Sequence, residues 1–93
     1  MAIQSFRCTQ TQSLFMGVSG HRFNQFRSVA ERKLQMLDVA VELKDLRSPP
    51  GNRLELLSGS RSGEYSIRIN NQWRICFVWG SNGPEDVEIV DYH

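Results

Sequence analysis

The chain has 93 residues, which is enough for one domain with a single modest hydrophobic core. Its formal net charge is only +1, so global charge alone does not indicate a nucleic-acid-binding protein. No apolar stretch has the length of a membrane span, and the two cysteines lack the spacing of a metal site or a disulfide framework. We therefore expect one domain over residues 1–93 in the cytoplasm, with no signal peptide, membrane partner, metal ion or cofactor.

The charges are unevenly distributed along the chain. Nine of the 11 basic residues are arginine, and the stretch 47–74 holds five arginines against two acidic residues. Acidic residues collect later, at Glu85, Asp86, Glu88 and Asp91. Because the planar guanidinium group suits bidentate recognition of phosphate, the basic middle of the chain is a candidate anion-binding region.

The first half of the chain is predicted to hold one strand and one or two helices. A short opening strand is predicted over residues 2–7. One or two helical turns follow over Thr9–Met16, with Thr9 or Thr11 as the N-terminal cap. Apolar residues that recur every three or four positions then predict a long helix from Phe23 to Leu46.

The ends of the long helix are less well defined than its middle. Asn24 is one possible N-cap, and Ser28 could begin a capping box one turn later. Lys33 is predicted to lie on the outer, solvent-facing side. A Pro-Pro-Gly run ends any helix before residue 52, and residues 43–46 belong either to the helix or to a short separate turn.

The second half of the chain predicts four strands. They are expected near residues 53–57, 65–69, 73–79 and 87–93, where β-branched and aromatic residues alternate with polar ones. Helices followed by a run of strands indicate an α+β fold, with the helices packed on one face of a mostly antiparallel sheet of four to five strands.

The central hairpin predicts a charged face. If Asn70-Asn71-Gln72 forms the loop, Ile67 faces Ile75 on the apolar side and Arg68 faces Arg74 on the other. Like charges at paired cross-strand positions are destabilising unless something compensates them, and a polyanion would do so. Two solvated arginines on an open sheet face are the alternative interpretation.

Two other regions carry groups suited to phosphate chemistry. A Gly/Ser loop over residues 58–63 holds Arg61 and can cradle a phosphate with its amides, although such loops also simply connect strands. The chain ends in Asp91-Tyr92-His93, which supplies an imidazole for proton transfer and a phenol for stacking or hydrogen bonding. A frayed terminus is the alternative there, and His21 is interpreted as an exposed loop histidine.

Several segments together resemble HigB-type toxins of the RelE/ParE superfamily, over essentially the whole chain. The segments are Ser48–Leu54, Gly59–Gly63, Tyr65–Arg68, Gln72–Phe77 and Val87–His93. The resemblance implies a RelE-like fold in which helices pack on a curved sheet whose concave face binds RNA. It also implies a toxin of a type II toxin–antitoxin module that cuts mRNA on the translating ribosome.

The resemblance also implies partners and functional residues. A HigA-like helix-turn-helix antitoxin would neutralise the toxin, and operator DNA would be contacted only through that antitoxin. Catalytic roles fall on Arg68, Arg74, Asp91, Tyr92 and His93, and RNA contacts on Arg53, Arg61, Arg68 and Arg74. Some relatives carry His and Lys where this chain has Glu55 and Ser58, which leaves the general base open.

Two other functions remain open from the sequence. A ParE-like inhibitor of gyrase would share the fold without being a nuclease. A non-catalytic RNA-binding or ribosome-associated domain would need the arginines and Tyr92, but not His93.

Overall fold

The computed structural model describes residues 2–18 and 22–91, and its fold is α+β as predicted. The helices are α1 (Thr9–Phe15) and α2 (Arg27–Val39), and the strands are β1 (Glu55–Leu56), β2 (Tyr65–Arg68), β3 (Trp73–Gly80) and β4 (Gly83–Asp91). The strands form one antiparallel sheet in the order β1-β2-β3-β4, and both helices pack on one of its faces. Among the described residues, no helix is long and apolar enough to span a bilayer.

The predicted hairpin register is confirmed. Ile67 pairs with Ile75 and Arg68 pairs with Arg74 across β2 and β3. Ile67, Ile75 and Phe77 are fully buried against the helices. Burying such a side chain stabilises the fold by roughly 1.5–3 kcal/mol each, and a slip of one residue would expose the whole set.

The opening segment pairs with the sheet but is not a full strand. Phe6 forms a single parallel bridge with Val87, supported by hydrogen bonds from Arg7 N to Val87 O (3.1 Å) and from Val87 N to Ser5 O (3.1 Å). The segment therefore lies along the outer edge of β4 and satisfies main-chain groups that an edge strand would otherwise expose.

Thr11 bonds to this same edge of β4, and its predicted role as a helix cap is wrong. The N-cap of α1 is Cys8, which makes no side-chain capping bond. The buried hydroxyl of Thr11 instead accepts a hydrogen bond from Ile89 N at 3.0 Å. The packing of α1 on β4 decides this, because it brings together two residues that are 78 positions apart.

The long helix is shorter than predicted. Helix α2 ends at Val39, and neither predicted start is formed, since its N-cap is Phe26 without a side-chain bond. The chain resumes as a separate 3₁₀ turn over Leu43–Arg47, one of the two alternatives left open. The Asp45 carboxylate accepts hydrogen bonds from Val41 N and Glu42 N, both at 3.0 Å, and so stabilises the break between the two elements.

Strand β4 begins four residues earlier than predicted. Gly83 and Pro84, which precede the predicted start at residue 87, both lie in the strand. Pro84 is tolerated because β4 is an edge strand, where a missing N–H need not break a ladder bond. A bulge places Phe77 of β3 opposite Asp86 and Val87, and such bulges bend a strand and increase its twist.

Candidate functional site

The sheet face opposite the helices carries the predicted pair of arginines, and we call it the arginine face. Its members are Arg53, Glu55, Ser66, Arg68 and Arg74. Arg68 and Arg74 are direct cross-strand partners, so both side chains leave the sheet on this same face. The pairing that the hairpin predicted is therefore present.

The Arg74 guanidinium is buried, and it already bonds to groups within the domain. Its Nε donates to Ser66 Oγ at 2.7 Å, and its Nη2 donates to Arg53 O at 2.6 Å. The Glu55 carboxylate lies 4.0 Å from Nη2. The Arg53 carbonyl and the Ser66 hydroxyl thus compensate the positive charge of Arg74 from within the domain.

The carbonyl that receives Arg74 is positioned by an uncommon backbone conformation. Arg53 is left-handed, with φ 45° and ψ 57°, which is uncommon for a residue other than glycine. The preceding Asn52 is fully buried, and its Nδ2 donates to Leu46 O (3.1 Å) and Ser48 O (3.3 Å). Asn52 therefore holds the loop that presents Arg53 O to Arg74.

Lys33 was predicted on the solvent-facing side of the helix, and that prediction is wrong. The residue is only 7% exposed, and its Nζ donates to Asn52 Oδ1. Burial lowers the pKa of Lys33, and the positive charges of Arg32 and Arg68 lower it further. Helical spacing alone could not place Lys33, because its partner Asn52 lies in a distant loop.

Arg68 is held less tightly than Arg74. It is half-buried, and its Nη2 donates to Asn71 Oδ1 in the hairpin loop. That loop is itself ordered by Asn70, whose Oδ1 accepts hydrogen bonds from Gln72 N (2.9 Å) and Trp73 N (2.8 Å). Arg68 is therefore the more accessible guanidinium of the pair.

Arg61 lies in a cluster of ion pairs. Its guanidinium contacts Glu64 at 3.1 Å and Glu88 at 3.2 Å, and Arg7 approaches the same two carboxylates at 3.5 and 3.9 Å. Glu88, which the sequence placed in a separate acidic region, therefore meets arginines directly. An RNA contact by Arg61 stays a prediction, and it would have to compete with these two carboxylates.

Cys76 lies in the middle of β3, and burial raises the pKa of its thiol to about 11, although the positive charge of Arg61 opposes the shift. An acid whose pKa is raised on folding contributes stability that is full below its unfolded value and is lost as pH rises. We therefore expect the Cys76→Ala variant to gain stability relative to the wild type between about pH 9 and pH 11. Urea denaturation at pH 8 and pH 10.5 measures this difference, and an unchanged difference would contradict the expectation.

The predicted terminal residues are only partly within the described structure. Asp91 is exposed and pairs with Trp73, the neighbour of Arg74 on β3, and its Oδ2 accepts a hydrogen bond from Gln72 Nε2 at 3.0 Å. Tyr92 and His93 lie outside the described residues, as does His21. The convergence of the terminal side chains on the arginine face therefore stays a prediction.

Over residues 2–18 and 22–91, the His, Cys, Asp and Glu side chains form no group of three or more that could hold a metal ion. On the same face of the sheet, the Glu55 carboxylate lies beside Arg74, and the Glu64 and Glu88 carboxylates lie in the ion pairs with Arg61 and Arg7.

The family comparison matches almost the whole chain. Residues 6–93 fit the HigB-like toxin family, described as RelE-like toxins HigB of type II toxin–antitoxin systems. The chain therefore belongs to this family, which confirms the resemblance noted from its motifs.

Individual relatives match over shorter stretches. Toxin HigB-1 of Vibrio cholerae is 54% identical over 48 residues, which cover 52% of this chain and 50% of that protein. An uncharacterized protein of Haemophilus influenzae is 44% identical over 54 residues, covering 58% of this chain and 54% of that protein. The chain spans about half the length of the curated relatives it matches.

A solved structure shares the fold over the full length. The YoeB–YefM complex from Staphylococcus aureus contains a chain that superposes with a TM-score of 0.57 at 20% sequence identity. The match covers 100% of this chain and 99% of that one. At this identity the likeness establishes the fold alone.

Proposed function

We propose that this protein is a bacterial toxin that cleaves mRNA on the ribosome without a metal ion. One observation carries the proposal: two guanidinium groups, Arg68 and Arg74, leave adjacent strands on one face of a domain that belongs to the HigB-like toxins. Paired guanidinium groups suit the charge and geometry of a phosphodiester. Arg53, which is exposed and whose carbonyl oxygen accepts a hydrogen bond from Arg74, would add a contact to the RNA backbone.

The proposed chemistry is internal attack by the ribose. The 2′-hydroxyl oxygen bonds to the adjacent phosphorus as the bond to the 5′-oxygen breaks, leaving a 2′,3′-cyclic phosphate and a 5′-hydroxyl. A base takes the 2′ proton and an acid returns one to the leaving oxygen. Arg68 and Arg74 stabilise the charge on the pentacoordinate phosphate, which typically contributes about 10²–10³-fold to the rate per donor.

Proton transfer is assigned to a small set of groups. We propose that His93, oriented by Asp91, exchanges a proton at one end of the reaction, and that Tyr92 stacks on or positions the scissile nucleotide. For the other proton, the Glu55 carboxylate beside Arg74 is the group within the described residues that is best placed.

We include the ribosome in this proposal because the site has few catalytic groups of its own. A bound and oriented mRNA converts the attack into an effectively unimolecular step, and orientation can lower a barrier by several kcal/mol. Arg74 is committed to internal hydrogen bonds, so we expect weak cleavage of naked RNA and strong cleavage of ribosome-bound mRNA.

We also propose a protein partner. Family membership supports neutralisation by an antitoxin, and the solved structural neighbour is named as a complex of two proteins. We infer a HigA-like helix-turn-helix antitoxin that alone contacts operator DNA, with the toxin acting in the cytoplasm.

A cleavage assay with a 5′-labelled mRNA, with and without programmed ribosomes, tests the nuclease. We expect cleavage with programmed ribosomes and little without them, and a loss of about 10²–10⁴-fold in the His93→Ala variant. The His93→Ala variant should keep its affinity for the antitoxin, and it should no longer arrest growth.

Two outcomes would contradict the proposal. Inhibition of DNA supercoiling by gyrase without RNA cleavage would identify a ParE-like poison instead. Growth arrest by a His93→Ala variant at wild-type strength would indicate non-catalytic RNA or ribosome binding.

A further inference from the structure

A surface cleft of about 400 Å³ lies at one corner of the domain, away from the arginine face. It is lined by Leu43, Lys44, Arg47, Leu54, Leu56 and Tyr65, and we call it the β1 cleft. Leu56 pairs with Tyr65 across the strands, and Tyr65 stacks on buried Phe77, so the cleft opens on the side of the helices. Its volume is within the range of protein sites that bind ligands.

The two edges of the sheet are treated differently. The β4 edge is covered by the opening segment and by Thr11. At the β1 edge, Leu57 N donates to Glu64 O, so the alternation of an antiparallel ladder turns the N–H and C=O of Leu56 outward. Among the described residues no hydrogen-bond partner meets those two groups, and the Leu56 residue is 64% exposed.

An open strand edge beside an apolar cleft is the arrangement used to bind an extended peptide. Main-chain groups of the peptide bond to the edge strand, and alternate side chains enter the cleft. Here Leu56 would supply both the outward main-chain groups and part of the apolar surface. A single exposed leucine is common on protein surfaces. Leu56, however, adjoins both the β1 cleft and main-chain groups that lack hydrogen-bond partners among the described residues.

The positive charge on the rim of the β1 cleft indicates the chemistry of its partner. Lys44 and Arg47 both line the β1 cleft, and no acidic residue lines it. Lys44 has one exposed ion pair, with Glu42 at 3.3 Å, and Arg47 has none among the described residues. Acidic residues beside apolar anchors would therefore match this rim.

A second copy of the chain fits this surface poorly. A symmetric dimer joins the same patch on both subunits, so two rims that each carry Lys44 and Arg47 would be brought together. The apolar floor of leucines and Tyr65 also offers little to a nucleic acid, whose affinity depends on contacts to phosphates.

We propose that the β1 cleft and the adjoining edge of β1 dock an extended, acidic and apolar segment of the antitoxin. This inference rests on the proposed function, since it assumes that the partner is an antitoxin. The docked segment adds to the sheet beside Leu56, and its acidic side chains pair with Lys44 and Arg47. The docking site lies on the opposite side of the sheet from Arg68 and Arg74, so neutralisation and cleavage are separable by mutation.

The test compares two matched substitutions, Leu56→Asp and Val39→Asp. Val39 is an equally exposed apolar residue on α2, at 69% against 64% for Leu56. The probe is the full-length protein encoded by the reading frame next to the toxin gene, titrated against the toxin by calorimetry. We expect Leu56→Asp to weaken binding at least tenfold and Val39→Asp to change it less than threefold.

A growth assay reads out the same difference. Cells that express the antitoxin should survive the wild-type toxin and the Val39→Asp toxin, and the Leu56→Asp toxin should still arrest them. The double variant Lys44→Glu/Arg47→Glu should slow association and reduce its dependence on salt. Thermal melting of each variant verifies the fold, and amide NMR shifts on the wild type should change at residues 54–57.

The outcomes separate this inference from the proposed function. If the wild-type protein neither arrests growth nor binds the probe, the proposed function fails. If it does both, but Leu56→Asp and Val39→Asp bind alike and the shifts lie elsewhere, the docking site is wrong. The docking site would also be wrong if Leu56→Asp lost self-association but still bound the antitoxin normally. A second copy of the chain would then occupy the β1 cleft.

Discussion

Replacing Arg68 with alanine is expected to lower ribosome-dependent mRNA cleavage by about 10²–10³-fold while leaving the fold intact. Arg68 is half-buried, and its described hydrogen bond goes to Asn71, an exposed loop residue. Truncation therefore removes a positive charge from the arginine face without opening a cavity in the core. Arg68→Lys should recover only part of the rate, because an ammonium group lacks the planar fork of guanidinium.

The Arg74→Ala variant is expected to differ from Arg68→Ala in stability. Arg74→Ala should lose cleavage too, but it should also unfold at lower temperature, because Ser66 and Arg53 O lose a buried partner. Single-turnover cleavage and thermal melting on the same preparations distinguish the two variants. Arg32→Ala, an exposed arginine on α2, is the control and should match the wild type in both measurements. Full toxicity of Arg68→Ala would rule out the arginine face as the site of cleavage.

Replacing Asn52 with alanine is expected to lower the free energy of unfolding by about 2–4 kcal/mol. The variant leaves the buried Lys33 ammonium without its acceptor, and it leaves Leu46 O and Ser48 O without a donor. For a domain of this size, such a loss should lower the melting temperature by more than about 8 °C. Asn24→Ala, at an exposed asparagine before α2, should have little effect.

A double-mutant cycle assigns the cause. If the unpaired ammonium dominates the cost, adding Lys33→Met to Asn52→Ala should restore part of the lost stability. The Asn52→Ala variant should also cleave more slowly than its remaining folded fraction explains, because Arg53 O no longer holds Arg74 in place. Equal stability of Asn52→Ala and the wild type would show that the buried network contributes nothing.

The residues differ in how far the sequence could predict their surroundings. The partnership of Arg68 with Arg74 followed from alternation around a short polar loop, since both strands lie next to each other in the chain. The burial of Lys33 did not follow, because its acceptor Asn52 is 19 positions away in a loop with no regular pattern. Arg61 likewise looked available for phosphate, although Glu88, 27 positions later, occupies it.

Element ends were also decided by contacts beyond the local pattern. The apolar spacing continues past Val39, but the carboxylate of Asp45 bonds the main chain at Val41 and Glu42 and separates the turn from the helix. Strand β4 begins at Gly83 because Gly83 and Pro84 pair with Gly80 and Trp79 of β3, and Pro84 O also accepts a hydrogen bond from Gln4 N in the opening segment.

The sequence by itself determined the α+β class, the hairpin register and the face on which two arginines meet. These features depend on the spacing of apolar residues over short stretches, and that spacing can be observed directly in the sequence. Only the tertiary structure decided which charges are buried, which are paired and which main-chain edge is left open. Those depend on partners brought together by packing, and the energy of a charge or a polar group is determined by what surrounds it.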